Sequence, residues 1–555
     1  MSEQPNFIKR FKKILIVTAI GTISFTSISF VEDYFEISKN LDIFTTLYRE
    51  LNTYYVDEID PSALMKTGID AMLESLDPYT NFISESEIED YRVMTTGQYG
   101  GIGARVSTQR EYATVVEVYE GFAAFKAGLR AGDIIKEVNG TSTKGKKPDE
   151  ISKLLKGAPN SKIKVKVLRP GISSVETKEI TREKISIKNV IYHGMIKDDF
   201  AYIKLTGFTF DAGKEVRSAL TDLQKFNPKG IILDLRDNPG GLLSEAVNVS
   251  NVFIDKGELV VKTKGRVKEW EESYLTKQTP VDTKTPLIVL INDRSASASE
   301  IVSGVIQDLD RGVIIGQKSF GKGLVQATRP LSYNAKLKIT TAKYYIPSGR
   351  CIQALDYSHR AKDGSVSKVP DSLMATFYTK NKRPVKDGGG IYPDISVEGL
   401  EMSIISNVLL DSGLILDFVT DYYLTNPPVS NAKEFEVNEK MYQAFTKFLS
   451  SKNYDYSTNT EKMLEAYAEA AKKESYYEAV KDELNKLETK MLNDKKGDLM
   501  KFKDELKQII TYHAVGRYHF QSGQIEASFS YDKDLSAALD AFKKPTKFTQ
   551  ILNPN

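Results

Sequence analysis

The chain has 555 residues, enough for roughly three to four domains of about 150 residues each. Apolar residues make up 41% and charged residues 27% of the chain, an ordinary globular balance, and a net charge of +2 gives no basis for a nucleic-acid surface. The single cysteine, Cys351, excludes an internal disulfide, and without a histidine near it in sequence it is interpreted as a structural thiol.

The N-terminus carries the pattern of a membrane-targeting segment. A basic stretch, residues 9–13 (KRFKK), precedes an uncharged run over residues 14–31. This run is close to the lower limit of about 17 residues for a membrane span, and it also fits the core of a secretory signal. Because no clear A-x-A cleavage site follows, residues 1–33 are predicted to be an uncleaved anchor, with the basic flank in the cytoplasm and the remainder exported.

Residues 34–95 are predicted to form a helical domain. The segment FEISKNLDIFTTLYRELNTYYV has apolar residues at spacings of three and four, which indicates an amphipathic helix. Asp60-Pro61 then opens a second helix, with proline in the first turn, and Asp77-Pro78 ends it.

Three further regions follow. Residues 96–185 read as a small mixed domain, with strands in GGIGARV, ATVVEVYEG and KIKVKVLRP. Residues 186–400 alternate apolar strands, such as GIILDLR and PLIVLIN, with helices such as ASEIVSGVIQDL, which predicts an α/β core. Residues 401–555 lose the strand signal and are predicted to be helical, with amphipathic, charged segments such as TEKMLEAYAEAAKKE.

The stretch GQKSFGKG, residues 316–323, matches the phosphate-loop motif G-x-x-x-x-G-K-[ST] except at its last residue. Gly323 stands where the motif needs a Ser or Thr to bind magnesium, and LVQATRPL after it reads as a strand rather than a helix. A Ser-x-x-K reading, Ser319 to Lys322, needs a later K-T-G, but the K-T-G of this chain comes earlier, at residues 66–68. Both interpretations are disfavoured.

Lys322 has another possible chemistry. If residues 322–328 are extended, Lys322, Leu324, Gln326 and Thr328 project to one face. A lysine sheltered from water loses charge stabilisation, so its neutral amine can act as a general base. Gln326 could then orient that amine through a hydrogen bond.

A base needs a nucleophile, and three serines crowd the turn after a strongly apolar strand: Ser295, Ser297 and Ser299. In one interpretation Ser297-x-x-Glu300 is a capping box. In the other, one serine lies at a helix N-terminus, where amide N–H groups and the helix dipole stabilise an oxyanion. The spacing alone does not choose among the three serines.

A third motif is LDLRDNPGG, residues 233–241, which reads as a buried strand, a tight Pro-Gly-Gly turn and a helix. Glycines there allow backbone N–H groups to approach a ligand, although an ordinary strand-to-helix turn has the same pattern. No histidine lies near a Ser or Asp motif, and His513 and His519 are interpreted as surface residues; the four histidines are His193, His359, His513 and His519. Without CxxC or HExxH, no metal is predicted, and no cofactor either.

Together these motifs resemble the C-terminal processing proteases, also called tail-specific proteases, which use a Ser/Lys dyad. The resemblance spans roughly residues 40–400, and its motifs follow in the family's order: GIGARV, AGLRAGDIIKEVNG, LDLRDNPGGLL, NDRSASASEI and GQKSFGKGLVQ. No single motif is specific, but the combination is.

The resemblance implies the fold and the roles of individual residues. The fold class is multidomain α+β: a helical N-terminal region, a PDZ-like domain, an α/β protease core of the crotonase/ClpP type and a helical C-terminal extension. The family's nucleophile matches Ser297, its general base matches Lys322, and the residue that assists the base matches Gln326. The resemblance also implies that the backbone amides of three residues bind the oxyanion: Gly240, Gly241 and Ala298.

The small domain resembles a PDZ module. The resemblance implies that the loop of Gly100, Gly101, Ile102 and Gly103 captures the C-terminal carboxylate of a substrate, whose tail adds as a strand to the domain edge. AGLRAGDIIKEVNG downstream favours this interpretation over a plain glycine turn.

The expected function is that of an exported serine endopeptidase on the periplasmic side of the cell envelope. The expected partners are proteins with apolar C-terminal tails, an adaptor protein, further copies of the chain and, through the N-terminal segment, the membrane. The competing hypothesis is a non-catalytic scaffold whose PDZ domain recruits tails beside an inert core. The presence of Ser297, Lys322 and Gln326 together argues against it.

Overall fold

The computed structural model describes residues 34–108, 111–197, 199–361, 363–399, 401–495 and 497–554. The predicted anchor, residues 1–33, lies outside the described residues. None of the helices in the described part of the chain has both the length and the apolar character to cross a membrane. The chain divides into two compact units, Met1–Phe82 and Ile83–Asn555.

The described residues of the first unit, 34–82, form two helices, α1 (34–54) and α2 (Pro61–Glu74). The Asp60 carboxylate accepts hydrogen bonds from the N–H groups of Ser62 and Ala63, so α2 begins where the Asp-Pro pair predicts it. The Tyr48 hydroxyl donates to the Pro61 carbonyl (2.7 Å) and ties the two helices together. Strand β1 (Asn81–Ile83) follows.

The second unit begins with α3 (Ile88–Thr96) and a small domain built around a five-stranded antiparallel path, β3-β4-β5-β7-β8, with β6 paired to β5 and a separate pair β2-β9. Its elements are β2 (Gln98–Gly101), β3 (Ala104–Ser107), β4 (Ala113–Val118), α4 (Ala123–Lys126), β5 (Ile134–Val138), β6 (Thr141–Ser142), α5 (Pro148–Leu155), β7 (Lys162–Leu168), β8 (Val175–Thr181) and β9 (Glu183–Ser186). In β7 the alternation KIKVKVL buries Ile163, Val165 and Val167 and exposes the lysines.

The α/β core is a six-stranded sheet in the order β10-β11-β12-β15-β16-β23, antiparallel between β10 and β11 and parallel elsewhere. Its elements are β10 (Val190–Ile196), β11 (Phe200–Leu205), α6 (Ala212–Gln224), β12 (Gly230–Asp234), α7 (Leu243–Phe253), β15 (Leu287–Ile291), α8 (Ala298–Asp308), β16 (Val313–Gly316) and β23 (Ile395–Ser396). Every residue of β12 and β15 is buried, as expected for central strands covered on both faces. Helices α6, α7 and α8 cover one face.

A second, antiparallel sheet has the connected path β17-β18-β13-β14. These strands are β13 (Leu259–Gly265), β14 (Glu272–Leu275), β17 (Leu324–Pro330) and β18 (Lys336–Tyr345), and two short pairs follow them, β19 (Leu355–Arg360) with β20 (Val366–Lys368) and β21 (Thr376–Tyr378) with β22 (Pro384–Lys386). A buried ion pair of Arg350 with Asp308 (2.8 Å) holds the segment after β18 against the end of α8.

The described part of residues 401–554 contains helices and no strand, as predicted. They are α9 (Ile404–Asp411), α10 (Leu414–Thr425), α11 (Glu439–Leu449), α12 (Asn459–Lys473), α13 (Tyr477–Lys495), α14 (Asp498–Lys501), α15 (Lys503–Ser528, broken at Phe520), α16 (Lys533–Phe542) and α17 (Pro545–Leu552). Leu535, Leu539 and Phe548 pack on Ile232 and Leu290, so α16 and α17 cover the second face of the core sheet. The end of the chain therefore belongs to the core, and the multidomain α+β fold class is confirmed.

Candidate active site

The turn between β15 and α8 places Ser297 at the first position before the helix. Ser297 is the N-cap of α8 and has φ 55° and ψ −111°, a conformation that side-chain-bearing residues rarely adopt. Backbone strain of this kind costs about 1 to 3 kcal/mol and is maintained only where surrounding contacts impose it.

The structure separates the three serines that the sequence left equivalent. The hydroxyl of Ser295 donates to the Leu235 carbonyl (2.8 Å) and that of Ser299 donates to the Asn238 carbonyl (2.9 Å), and both side chains are fully buried. Ser297 is half-buried. Ser295 and Ser299 thus fasten the serine turn to the Pro-Gly-Gly turn, and Ser297 is the serine of the three that retains exposure.

The capping box is formed through its glutamate. The Ser297 N–H donates to Glu300 Oε2 (2.7 Å), as the Ser-x-x-Glu spacing predicts. The glutamate therefore supplies its half of the capping box at the start of α8.

Glu300 also binds the loop that carries Lys322. Its Oε1 accepts hydrogen bonds from the Ser319 hydroxyl (2.6 Å) and the Gly321 N–H (2.7 Å), and its Oε2 accepts one from the Lys322 N–H (2.9 Å). The side chain is completely buried, and burial raises the pKa of Glu300 to about 7, although its hydrogen bonds favour the ionised form. Sequence reasoning assigned Glu300 only to the helix cap and missed this second set of contacts.

Tyr344 of β18 makes a second bridge between the same two loops. Its hydroxyl oxygen lies 2.6 Å from the Lys322 carbonyl and 3.2 Å from the Ser297 carbonyl, and the side chain is fully buried. Only the fold reveals this residue, because YY inside a predicted strand carries no signal of such a role.

Strand β17 begins at Leu324, so Lys322 lies in the loop before it, where Glu300 binds its N–H and Tyr344 binds its carbonyl. The pairing of β17 with β18 shifts between Val325 and Gln326, which interrupts the regular alternation of side chains along the strand. The projection of Lys322 and Gln326 to one face stays a hypothesis. The Gln326 amide donates to the Thr340 hydroxyl (3.1 Å), and the assisting role of Gln326 stays a prediction. The strand after Gly323 agrees with the rejection of a phosphate loop.

The Pro-Gly-Gly turn lies directly against Ser297. A Cβ atom on Gly240 would stand 2.6 Å from the Ala296 carbonyl oxygen, 2.8 Å from the Ala298 nitrogen and 2.9 Å from Ser297 Cβ. Gly240 also has φ 95°, so both its conformation and its surroundings require glycine.

The three backbone amides predicted to bind an oxyanion differ in whether they already donate a hydrogen bond within the protein. The Gly240 N–H donates to the side-chain oxygen of Asn238 (2.9 Å), and its role as an oxyanion donor stays a prediction. Among the described residues, the N–H groups of Gly241 and Ala298 have no hydrogen-bond acceptor. Ala298 is the first residue of α8, where an amide has no partner within the helix.

The predicted carboxylate loop of the small domain is shorter than expected. Gly100 and Gly101 lie in β2 and pair with Lys184 and Glu183 of β9, so their backbone groups take part in strand pairing. The structure therefore places Gly100 and Gly101 in a strand, and the role of all four residues in binding a substrate tail stays a prediction. Ile102 and Gly103 do connect β2 to β3; Gly103 has φ 75°, and a Cβ there would lie 2.5 Å from Phe122 Cβ.

Residues 356–359 correct the statement that no histidine lies near Ser and Asp residues, because Asp356, Ser358 and His359 form an exposed cluster with the residue types of a catalytic triad. His359 Nδ1 lies 2.7 Å from Asp356 Oδ2 and 3.2 Å from Ser358 Oγ. A triad needs the carboxylate and the hydroxyl on opposite ring nitrogens, whereas both contact Nδ1 here, and the side chain of His359 is 86% exposed. The cluster therefore has the residues of a triad without its geometry.

Cys351 and His513 are the next titratable groups of the described chain to consider. Burial raises the pKa of Cys351 above its ordinary value, which opposes thiolate formation. His513, interpreted from sequence as a surface residue, instead faces a cavity between the small domain and the C-terminal helices, and burial lowers its pKa to about 4. Among the described residues no cluster of His, Cys, Asp and Glu is arranged to hold a metal ion.

Three family models match separate parts of the chain. The model of Peptidase family S41 matches residues 199–358, a PDZ domain model matches residues 114–169, and the model described as "Probable PDZ-protease, C-terminal helical domain" matches residues 405–542. The matches define the class of protein: a peptidase with a PDZ domain before its core and a helical domain after it.

The similarity to whole proteins is consistent with this class. The chain is 37% identical over 321 residues to a carboxy-terminal-processing protease of Bartonella bacilliformis, covering 57% of this chain and 73% of that protein. It is 35% identical over 358 residues to a probable CtpA-like serine protease of Staphylococcus aureus, covering 62% of this chain and 71% of that protein. The chain belongs to the C-terminal processing protease family of serine peptidases, which confirms the resemblance seen in the sequence.

Among solved structures, the chain is similar to a photosystem II D1 C-terminal processing protease. The identity is 27%, the alignment covers 68% of this chain and 96% of that chain, and the TM-score is 0.35.

Proposed function

We propose that this protein is an exported serine endopeptidase that cleaves envelope proteins near their C-termini. The observation that carries the proposal is the shared contact of Ser297 and Lys322 with Glu300 Oε2, because it brings the two residues together across 25 positions of sequence. Membership of the serine peptidase family supports the same reaction class.

In the proposed mechanism the Ser297 hydroxyl attacks the scissile carbonyl while the neutral amine of Lys322 takes its proton. The N–H groups of Gly241 and Ala298 stabilise the resulting oxyanion. The Lys322 ammonium then returns the proton to the leaving amine, which leaves an acyl group on Ser297. Water, deprotonated by Lys322, releases this acyl group, and Gln326 assists the base.

The PDZ domain is proposed to select the substrate by an apolar C-terminal tail. Strand β3, which follows the Ile102–Gly103 loop, is the first strand in the order of its sheet, where a peptide can add as a further strand. The proposed location is the periplasmic side of the envelope, with residues 1–33 as the anchor. An adaptor protein and self-association remain part of this proposal.

The test is degradation of an unfolded protein with an apolar tail. Ser297→Ala and Lys322→Ala should each abolish cleavage while binding of a fluorescent tail peptide is retained. Ser303→Ala is the matched control, because its buried hydroxyl donates within α8, to the carbonyls of Ser299 and Glu300, and it should still cleave. Normal turnover by Ser297→Ala would overturn the mechanism, and tail binding without cleavage by the wild type would favour the non-catalytic scaffold.

A further inference from the structure

A buried charge cluster connects helix α16, near the end of the chain, to the turn after β12. The Arg236 guanidinium binds both carboxylate oxygens of Asp532 (2.9 and 2.6 Å) and one of Asp534 (2.8 Å). The same guanidinium contacts Asp234 at the end of β12 (2.6 Å). The side chains of all four residues are at most 17% exposed, so solvent screens these ion pairs weakly.

Arg236 lies within the turn that faces the serine turn. The residue before it, Leu235, accepts the Ser295 hydroxyl through its carbonyl, and Asn238, two residues after it, accepts the Ser299 hydroxyl in the same way. A displacement of Arg236 therefore acts on a backbone that is hydrogen-bonded on both sides to the loop of the candidate nucleophile.

Without α16 the Arg236 guanidinium would lose the carboxylates of Asp532 and Asp534 and keep that of Asp234. Asp234 is fully buried and shared with Lys204 (3.0 Å), so by itself it faces two cations. Burial lowers the Arg236 pKa, but Asp234 and Asp532 outweigh this effect and raise it. The two carboxylates of α16 thus supply the negative charge that keeps the buried Arg236 in one geometry.

We propose that Asp532 and Asp534 are positioning residues for the peptidase reaction. They hold Arg236, and through it the turn that ends in Gly240 and Gly241, so that the C-terminal helix α16 completes the candidate oxyanion site. The expected effect on kcat rests on the proposed function. The expected effect on the mobility of the turn rests on the geometry alone.

The variant Asp532→Asn/Asp534→Asn removes both charges with little loss of structure. Asparagine at 532 still accepts the Leu535 N–H, which caps α16, and the apolar residues of α16 remain packed on the core sheet. Asp540→Asn is the matched control, because Asp540 lies on the same helix in an exposed ion pair with Lys543.

The expected result has two parts, measured on the full-length protein. In the double variant kcat per titrated active site falls at least about tenfold, while KM and tail-peptide binding stay at the wild-type values, because misplacement affects the reaction and not the PDZ domain. Hydrogen exchange of the amides of Asp237, Asn238 and Gly240, which are hydrogen-bonded within or beside the turn, becomes faster. Asp540→Asn changes neither quantity.

A folded double variant with wild-type exchange at Asp237, Asn238 and Gly240, or with wild-type kcat while the wild type is active, overturns the proposal. If the wild type and Ser297→Ala are equally inactive, the proposed function fails, and hydrogen exchange still decides whether α16 holds the turn. If the double variant does not fold, Asp534→Asn alone, which keeps the two contacts of Asp532, is judged by the same two measurements.

Discussion

The backbone nitrogens of Ser297 and Lys322 lie within about 6 Å of each other, because both donate to a single oxygen atom of Glu300. The carbonyls of the same two residues are bridged by the Tyr344 hydroxyl. The spacing of the two loops is thus held by buried side chains that belong to neither loop.

Glu300 predicts a specific pH dependence of stability. Burial raises its pKa from 4.5 to about 7, so ionising this group opposes folding: its stabilising contribution is present below about pH 4.5 and is lost as the pH rises through about 7. Urea unfolding at pH 5 and pH 8 should therefore show a larger loss of unfolding free energy in the wild type than in Glu300→Gln. An equal loss in both proteins would show that Glu300 does not titrate in this range.

Glu300→Gln should also remove most of the activity. The glutamine NH2 group replaces one of the two carboxylate oxygens and cannot accept hydrogen bonds, so two of the four donors that contact Glu300 lose their acceptor. We expect kcat to fall at least about a hundredfold with tail-peptide binding unchanged. Retained kcat in a folded Glu300→Gln protein would contradict the view that this carboxylate sets the spacing of the loops.

Gly240→Ala should inactivate the enzyme, because the new Cβ would collide with Ser297 Cβ and the Ala298 nitrogen. Gly257→Ala is a matched control: Gly257 has nearly the same φ, 93° against 95°, but a Cβ there meets nothing within 4 Å. The control should lose about 1 kcal/mol of stability from backbone strain and keep its activity. Equal cleavage rates in the two variants would mean that the close approach at Gly240 has no role in the reaction.

Tyr344→Phe removes the hydroxyl that bridges the Ser297 and Lys322 carbonyls. Losing one buried hydrogen bond of this kind corresponds to about 1 kcal/mol, so we expect kcat to fall roughly fivefold, with a comparable loss of unfolding free energy and little change in KM. Steady-state kinetics with an apolar-tailed substrate measure this. Tyr345→Phe, one residue along the same strand, should behave like the wild type; if both variants lose the same activity, the bridge is not the cause.

Gly103→Ala should weaken tail binding, because its Cβ would press on Phe122 beside the candidate carboxylate loop. The expected signature is a higher KM and weaker binding of the fluorescent tail peptide, with kcat at saturation preserved. Gly121→Ala carries a similar positive φ, 81° against 75°, and has open space around the new Cβ. Peptide titration of the two variants provides the test, and identical affinities would remove Gly103 from the binding loop.

Much of the architecture follows from local sequence. Helix α8 and strands β12, β15 and β17 are present where apolar runs and turn residues predict them, and the regular elements described within residues 401–554 are helices. Periodicity and turn chemistry are local properties, so they identify elements without knowledge of the fold. The combination of motifs also identified the family, which the comparisons confirm.

The sequence alone therefore determined the order of the elements, the family and a short set of candidate residues. Only the tertiary structure decided which of the three serines remains exposed, that Gly100 and Gly101 pair within a strand, that Lys322 precedes β17, and that Glu300, Tyr344 and α16 support the site. The physical reason is that burial and hydrogen-bond partners are set by contacts between residues far apart in the chain, and Ser295 and Ser299 differ from Ser297 only in which distant carbonyls they meet.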